Sequence, residues 1–222
     1  MAELKITVEG TNFIPEYPQS KTKEMTLVIF FNGKKVSSNY FVSGAPYPLT
    51  CGSGTYTATV YTQKVGVFYN KTASKSFKVK VPNVDAYMLG HSIYVPQTAT
   101  MVEVAQKLRA ENEKDEDYYS AVKKYIRTHF YYDYIYGLQT RKQKIYFPDL
   151  DRLELKKSGI CQDLAAYAVG LLREGGVPAN IVLGYADKQY HAWVKTEFGM
   201  YDPTPACGGG AKAKKYIEER KY

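Results

Sequence analysis

Ser158-Gly159-Ile160-Cys161-Gln162-Asp163-Leu164-Ala165 is the stretch in which a helix start and a nucleophilic side chain coincide. Beyond it Leu164, Ala165, Ala168, Leu171 and Leu172 recur at helical spacing, and Gly175-Gly176 marks the end. Ser158 or Gly159 is the expected cap, which puts Cys161 in the first turn. Unpaired backbone N–H groups and the positive end of the helix dipole stabilise a thiolate there. The apolar stripe has to pack on something, so the sulfur is expected at the floor of a cleft rather than out in water.

The partner surface follows directly. Residues 177–185 and 190–195 read as strands, and Met200-Tyr201-Asp202 as a third, stopped by Pro203. A two-residue turn within 197–199 places His191 and Asp202 on one sheet face. With the turn at Glu197-Phe198 they lie two residues apart in register, within reach; with the turn at Phe198-Gly199 the offset is four, out of reach. If the three meet, Cys161 is a nucleophile, His191 its general base and acid, and Asp202 the group that orients the imidazole. The Cys161 backbone N–H is one oxyanion donor, and the sequence does not identify a second. Each residue also has a plain structural reading: a small core thiol, a strand histidine, an Asp-Pro turn. Cys at a helix start, His on the next sheet and Asp on its neighbour together favour the chemical one.

These motifs in their order carry a resemblance. Gly159-Ile160-Cys161-Gln162-Asp163-Leu164-Ala165, Leu172-Arg173, Gly176-Val177-Pro178-Ala179, Gly184-Tyr185, His191-Ala192-Trp193 and Asp202-Pro203-Thr204 resemble the transglutaminase-like superfamily of papain-fold thiol enzymes over about residues 100–206. The resemblance implies a Cys161, His191, Asp202 triad and action on peptide or protein amide bonds through a thioester. Trp193 is the single tryptophan and no acidic calcium loop is present, so hydrolysis or relaxed acyl transfer is implied over calcium-dependent crosslinking. The competing expectation is a non-catalytic cell-surface or adhesion protein.

The rest of the chain sets the frame. Leu4-Lys5-Ile6-Thr7-Val8 alternates, an apolar run ends at Asn32-Gly33, a type I′ signal, and Tyr56, Ala58 and Val60 share one strand face. The expected class is therefore α+β: an antiparallel, Ig-like β-sandwich over 1–82, a linker over 83–97, and a papain-like α+β domain over 98–222. Helical spacing of Met101, Val104, Ala105 and Leu108 predicts one helix, and a second is expected from about Asp117 to Phe130. Residues 131–157, rich in tyrosine, show no period and read as a binding loop or a loop covering a sheet edge. Glu218-Glu219, after Gly208-Gly209-Gly210, belong to a short charged helix at most. His91 and His129 read as surface or packing residues.

The 22 tyrosines suit half-buried strands. The net charge of +8 is spread, with ten Lys+Arg against five Asp+Glu in residues 1–85. With no basic run interleaved with aromatics, no nucleic-acid partner is expected. Contact of the β domain with an anionic wall or surface polymer is the alternative use of that charge. Cys51, Cys161 and Cys207 form no disulfide framework, and no zinc-ligand or cofactor motif is present, so side chains alone are expected to do the chemistry. Met-Ala-Glu-Leu-Lys lacks the apolar core of a secretory leader and no stretch reaches 18 apolar residues. The expected location is cytoplasmic, or secreted or at the cell surface if a leader has been removed.

Overall fold

The computed structural model describes residues 2–66, 68–141 and 146–222, and they form two compact units, 1–90 and 91–222. The first unit is all β: β1 (Lys5–Glu9), β2 (Asn12–Glu16), β3 (Met25–Phe31), β4 (Lys34–Tyr40), β5 (Tyr47–Pro48), β6 (Gly54–Val65) and β7 (Phe68–Val79). They make two antiparallel sheets, β1-β2-β5 and β4-β3-β6-β7. Tyr56, Ala58 and Val60 are all buried, and the Phe13 ring of the first sheet lies 5.3 Å from that of Phe77 in the second. Asn32 and Gly33 both have positive φ, as the type I′ turn requires. β4 is Lys-Lys-Val-Ser-Ser-Asn-Tyr, whose polarity hides it from a pattern of alternating apolar residues. The segment 83–97, expected as a linker, holds a 3-10 turn at Ala86–Leu89 in the first unit and an isolated Ser92–Val95 bridge in the second.

The second unit runs α1 (Ala99–Glu111), α2 (Asp115–His129), β8 (Tyr131–Tyr132), α3 (Tyr134–Thr140), α4 (Leu150–Lys156), β9 (Ser158–Gly159), α5 (Cys161–Glu174), β10 (Asn180–Ala186), β11 (Gln189–Thr196), β12 (Gly199–Tyr201), α6 (Pro203–Ala206) and β13 (Tyr216–Lys221). An antiparallel sheet in the order β12-β11-β10-β13 packs on α5, and α1 and α2 pack on α5 as well. Together the two units confirm an α+β protein. Among the described residues no helix is long and apolar enough to cross a membrane.

Several expectations need correction. α5 is no amphipathic stripe: every residue from 163 to 173 is buried, because Ala166, Tyr167, Val169 and Gly170 fill the remaining faces. At Gly170 an added Cβ would stand 2.4 Å from the Met101 sulfur, so glycine lets α1 lie against α5. The helix cap is Ile160, not Ser158 or Gly159. The stretch 131–157 is not one irregular loop. It contains α3 and α4, whose N-caps Asp133 and Asp149 accept from Tyr136 N and Arg152 N, and β8, which pairs in parallel with β9. Residues 142–145 of that stretch lie outside the described residues. Pro178 delays the strand expected from 177 until Asn180. The tail carrying Glu218 and Glu219 is a strand, β13, not a helix.

β13 reaches β10 only because of Gly184. The register shifts between Leu183 and Gly184, and a Cβ on Gly184 would stand 2.1 Å from the Ile217 carbonyl oxygen and 3.0 Å from the Trp193 ring. Gly184→Ala is therefore expected to destabilise the second unit by about 1–3 kcal/mol, the usual cost of overpacking. Urea unfolding followed by Trp193 fluorescence reads that unit alone, since no other tryptophan exists. An unchanged midpoint would show that β13 does not need the close approach.

Candidate active site

The β11–β12 register decides which of the two turn placements holds. Val194 pairs with Tyr201 and Thr196 with Gly199, so the turn is Glu197-Phe198 and Asp202 falls two residues out of register from His191. Asp202 is not a strand residue, however. It is the N-cap of α6, where its Oδ1 accepts from Thr204 N at 3.0 Å. Its Oδ2 lies 2.8 Å from His191 Nε2 and accepts from the Tyr216 hydroxyl at 2.7 Å. A backbone amide, an imidazole and a phenol thus fix both carboxylate oxygens in orientation.

Electrostatics follow from that geometry. Burial by itself lowers the imidazole pKa, but the hydrogen bonds and charges of Asp202 and Cys161 outweigh it and push His191 up to about 10. Burial likewise works against ionised Asp202, yet His191, Tyr216 and the Thr204 amide hold its carboxyl below the ordinary range. Both shifts favour an imidazolium–carboxylate pair. His191's share of the stability is complete below its ordinary value of 6.5 and is lost as pH rises through about 10. Asp202's share is present above its ordinary value of 3.8 and is lost as pH falls through its lowered one.

Cys161 is the first residue of α5, half-buried, with a free thiol that adds to the upward shift of the His191 pKa. With Nε2 held by Asp202, the imidazole has Nδ1 left for the sulfur. The turn carrying Cys161 is anchored by Asp163, which is 1% exposed. Its Oδ2 accepts from Ile160 N at 2.9 Å, and its Oδ1 from Asp149 N at 3.1 Å and the Tyr146 hydroxyl at 2.5 Å. Burial pushes the Asp163 carboxyl up to about 6 against the pull of these donors. Gly159 is needed beside it, since a Cβ there would stand 2.9 Å from Asp163 Oδ2.

A cleft of about 690 Å³ opens over His191 and Asp202, with Tyr132, Tyr134, Thr204 and Gly209 among its lining. Tyr132 pairs with Gly159 across β8–β9. Its phenol is held protonated to about 12, first by burial and then by Cys161. Sequence reasoning missed Tyr132, Tyr216 and Asp163; of these only Asp163, two residues after the cysteine, lay within a motif. The remaining candidates lie apart. Cys207 is buried, its sulfur 3.7 Å from Ile126 O, with a pKa raised to about 11 by burial and then Asp202. His91 Nε2 contacts Glu174 at 2.7 Å, and His129 stacks on Tyr125. Cys51 belongs to the first unit and is also free.

The site lies in an α+β unit in which α5 packs on an antiparallel sheet. Residues 102–204 match the sequence model of the transglutaminase-like superfamily. No curated protein matches the sequence. Among solved structures, a candidate cysteine protease from Cytophaga hutchinsonii is similar at 14% identity and TM-score 0.47, covering 92% of this chain and 80% of that one. The periplasmic domain of TgpA from Pseudomonas aeruginosa is similar at 14% identity and TM-score 0.41, covering 92% and 86%. A TGase is similar at 18% identity and TM-score 0.39, covering 67% of this chain and 45% of that one.

Two outcomes are expected from this geometry. The His191 Cε1 proton should titrate near pH 10 by NMR, and Asp202→Asn should bring the midpoint down by about two units or more, because Cys161 alone then opposes burial. An ordinary midpoint in the unaltered protein would mean that the pair does not form in solution. Asp163→Ala strands three donors in the interior and should cost about 3 kcal/mol or more by urea unfolding.

Proposed function

We propose that Cys161, His191 and Asp202 are a catalytic triad that cleaves peptide or protein amide bonds through a Cys161 thioester. The observation carrying this reading is the 2.8 Å contact, at the cleft, between His191 and a carboxylate with no orientational freedom left, with Cys161 adding to the upward shift of the imidazole pKa. His191 already holds the Cys161 proton on Nδ1 as the imidazolium when the sulfur bonds to the substrate carbonyl carbon. The C–N bond then breaks, and the same proton leaves on the amine. Water attacks the thioester, gives its proton to His191, and the carboxylic acid departs as the thiol is restored. Asp202 stabilises the imidazolium throughout.

The oxyanion needs two donors. The Cys161 N–H, in the first turn of α5, has no hydrogen-bond acceptor among the described residues and supplies one. The Tyr132 hydroxyl fits the second: it lies on the Ile160 side of the cleft, 3.5 Å from the Cβ position of Gly137, as does an Ile160 methyl. Hydrolysis is the favoured outcome over amine transfer, because Trp193 is 1% exposed inside the sheet and the chain has no second tryptophan to wall a tunnel for an acceptor.

Iodoacetamide at neutral pH is expected to modify Cys161 well before Cys51, with Cys207 protected by burial, as read by peptide mass spectrometry. His191→Ala should slow the Cys161 reaction about tenfold or more by removing the proton acceptor. Cys161→Ala should abolish turnover of a peptide library scored with and without added amine. A Cys161 that alkylates no faster than an unstructured thiol ends the catalytic reading.

A further inference from the structure

Two cations of the cleft stand without an ion-pair partner among the described residues, in a unit whose charges are otherwise close to balance. Residues 86–222 carry 20 Lys+Arg against 17 Asp+Glu, close to balance. Arg141 and Lys188 both line the cleft, both are exposed, and neither has an ion-pair partner among the described residues. Ala211 and Ala213 form part of the rim and alternate with Lys212, Lys214 and Lys215, all exposed. The acidic residues lining the cleft are Asp187 and Asp202. Both are engaged by the protein's own donors: Asp187 accepts from Lys214 N and Lys215 N at 3.2 and 2.9 Å, and Asp202 is held by His191, Tyr216 and Thr204. Arg141 and Lys188 are thus cations of the cleft without an ion-pair partner among the described residues, while its carboxylates are engaged by the protein's own donors. The side of α3 that lines it is apolar, with Leu138 and Tyr134 exposed by 62% and 58%.

We propose that this cleft selects an acidic peptide segment, with substrate carboxylates placed between Arg141 and Lys188 and neighbouring apolar atoms lying on Leu138 and Tyr134. The proposal rests on the catalytic reading for where the scissile amide sits, but the charge selection itself is a binding property. Arg141 offers a planar fork for a carboxylate and Lys188 a mobile point charge. Like-charged segments are rejected by the same groups, so the effect is discrimination as much as affinity. Because the cations are exposed, salt should weaken it.

The test uses the full-length Cys161→Ala protein and three fluorescent peptides of equal length, with Glu, Ala or Lys flanking a central amide, read by anisotropy. The Glu peptide is expected to bind at least tenfold more tightly than the Ala peptide at low salt, and the Lys peptide least. The margin should shrink several-fold in 0.5 M salt. In the Arg141→Gln/Lys188→Gln background, which should melt with its parent because both side chains are exposed, the Glu-to-Ala ratio should fall towards one. A Glu peptide that binds no better than the Ala peptide, a preference untouched by the double substitution, or no binding of any peptide would each overturn the proposal. Turnover by the unaltered protein separates the two readings. Selective binding without cleavage leaves the charge selection standing and removes the catalytic reading. Cleavage indifferent to charge does the reverse.

Discussion

The second unit depends on burying one helix on every side. From Asp163 to Arg173 α5 has no face to water, so it needs a sheet, two long helices and the segment before it as cover. The two charged residues in that run are each satisfied. Asp163 collects two backbone amides and a phenol, and Arg173 donates to the Ala179 and Tyr222 backbone oxygens. A helix so enclosed has little freedom to slide or rotate. Its first residue, Cys161, is therefore presented to the neighbouring sheet from a fixed position, a better platform for chemistry than a loop.

The second fixed point is Asp202, and the way it is held explains the electrostatics of the site. A carboxylate placed out of water beside a histidine is stable only if its remaining lone pairs have donors. The α6 amide at Thr204 and the Tyr216 hydroxyl supply them. The imidazole can then stay charged in a place where burial alone would neutralise it. Two elements of different origin, a helix from the middle of the sequence and a cap at the end of a β-ribbon, thus meet at one imidazole.

Much of this was legible from residues alone. Period-two parity put His191 and Asp202 on one face, and the helix start placed Cys161. The turn could not be fixed because Glu197-Phe198 and Phe198-Gly199 are both acceptable turn pairs; the register had to choose. Gly199 does take a positive φ, but as the first residue of β12 rather than in the turn itself. The cap was misread because Ile160 has no side-chain acceptor; Asp163 reaches back to its amide instead, a contact that local capping preference does not announce. Tyr132 and Tyr216 were invisible for a different reason. Their partners are reached only through the parallel β8–β9 pair and the β10–β13 edge, and in a chain with 22 tyrosines neither stands out by type. β13 itself is Tyr-Ile-Glu-Glu-Arg-Lys, whose charge reads as solvated surface until the bulge at Gly184 shows where it docks.

The placement of β13 bears on how the protein comes into being. Synthesis delivers the thiol helix first, then the hairpin with its imidazole, then the carboxylate, and only afterwards the strand that covers the exposed edge of β10 and contributes the Tyr216 phenol. Until residue 216 has left the ribosome, the carboxylate lacks one of its donors and the sheet has an open edge. A nascent chain built in this order holds Asp202 without the Tyr216 phenol until β13 has docked on β10. The full donor set of Asp202 is thereby tied to completion of the sheet.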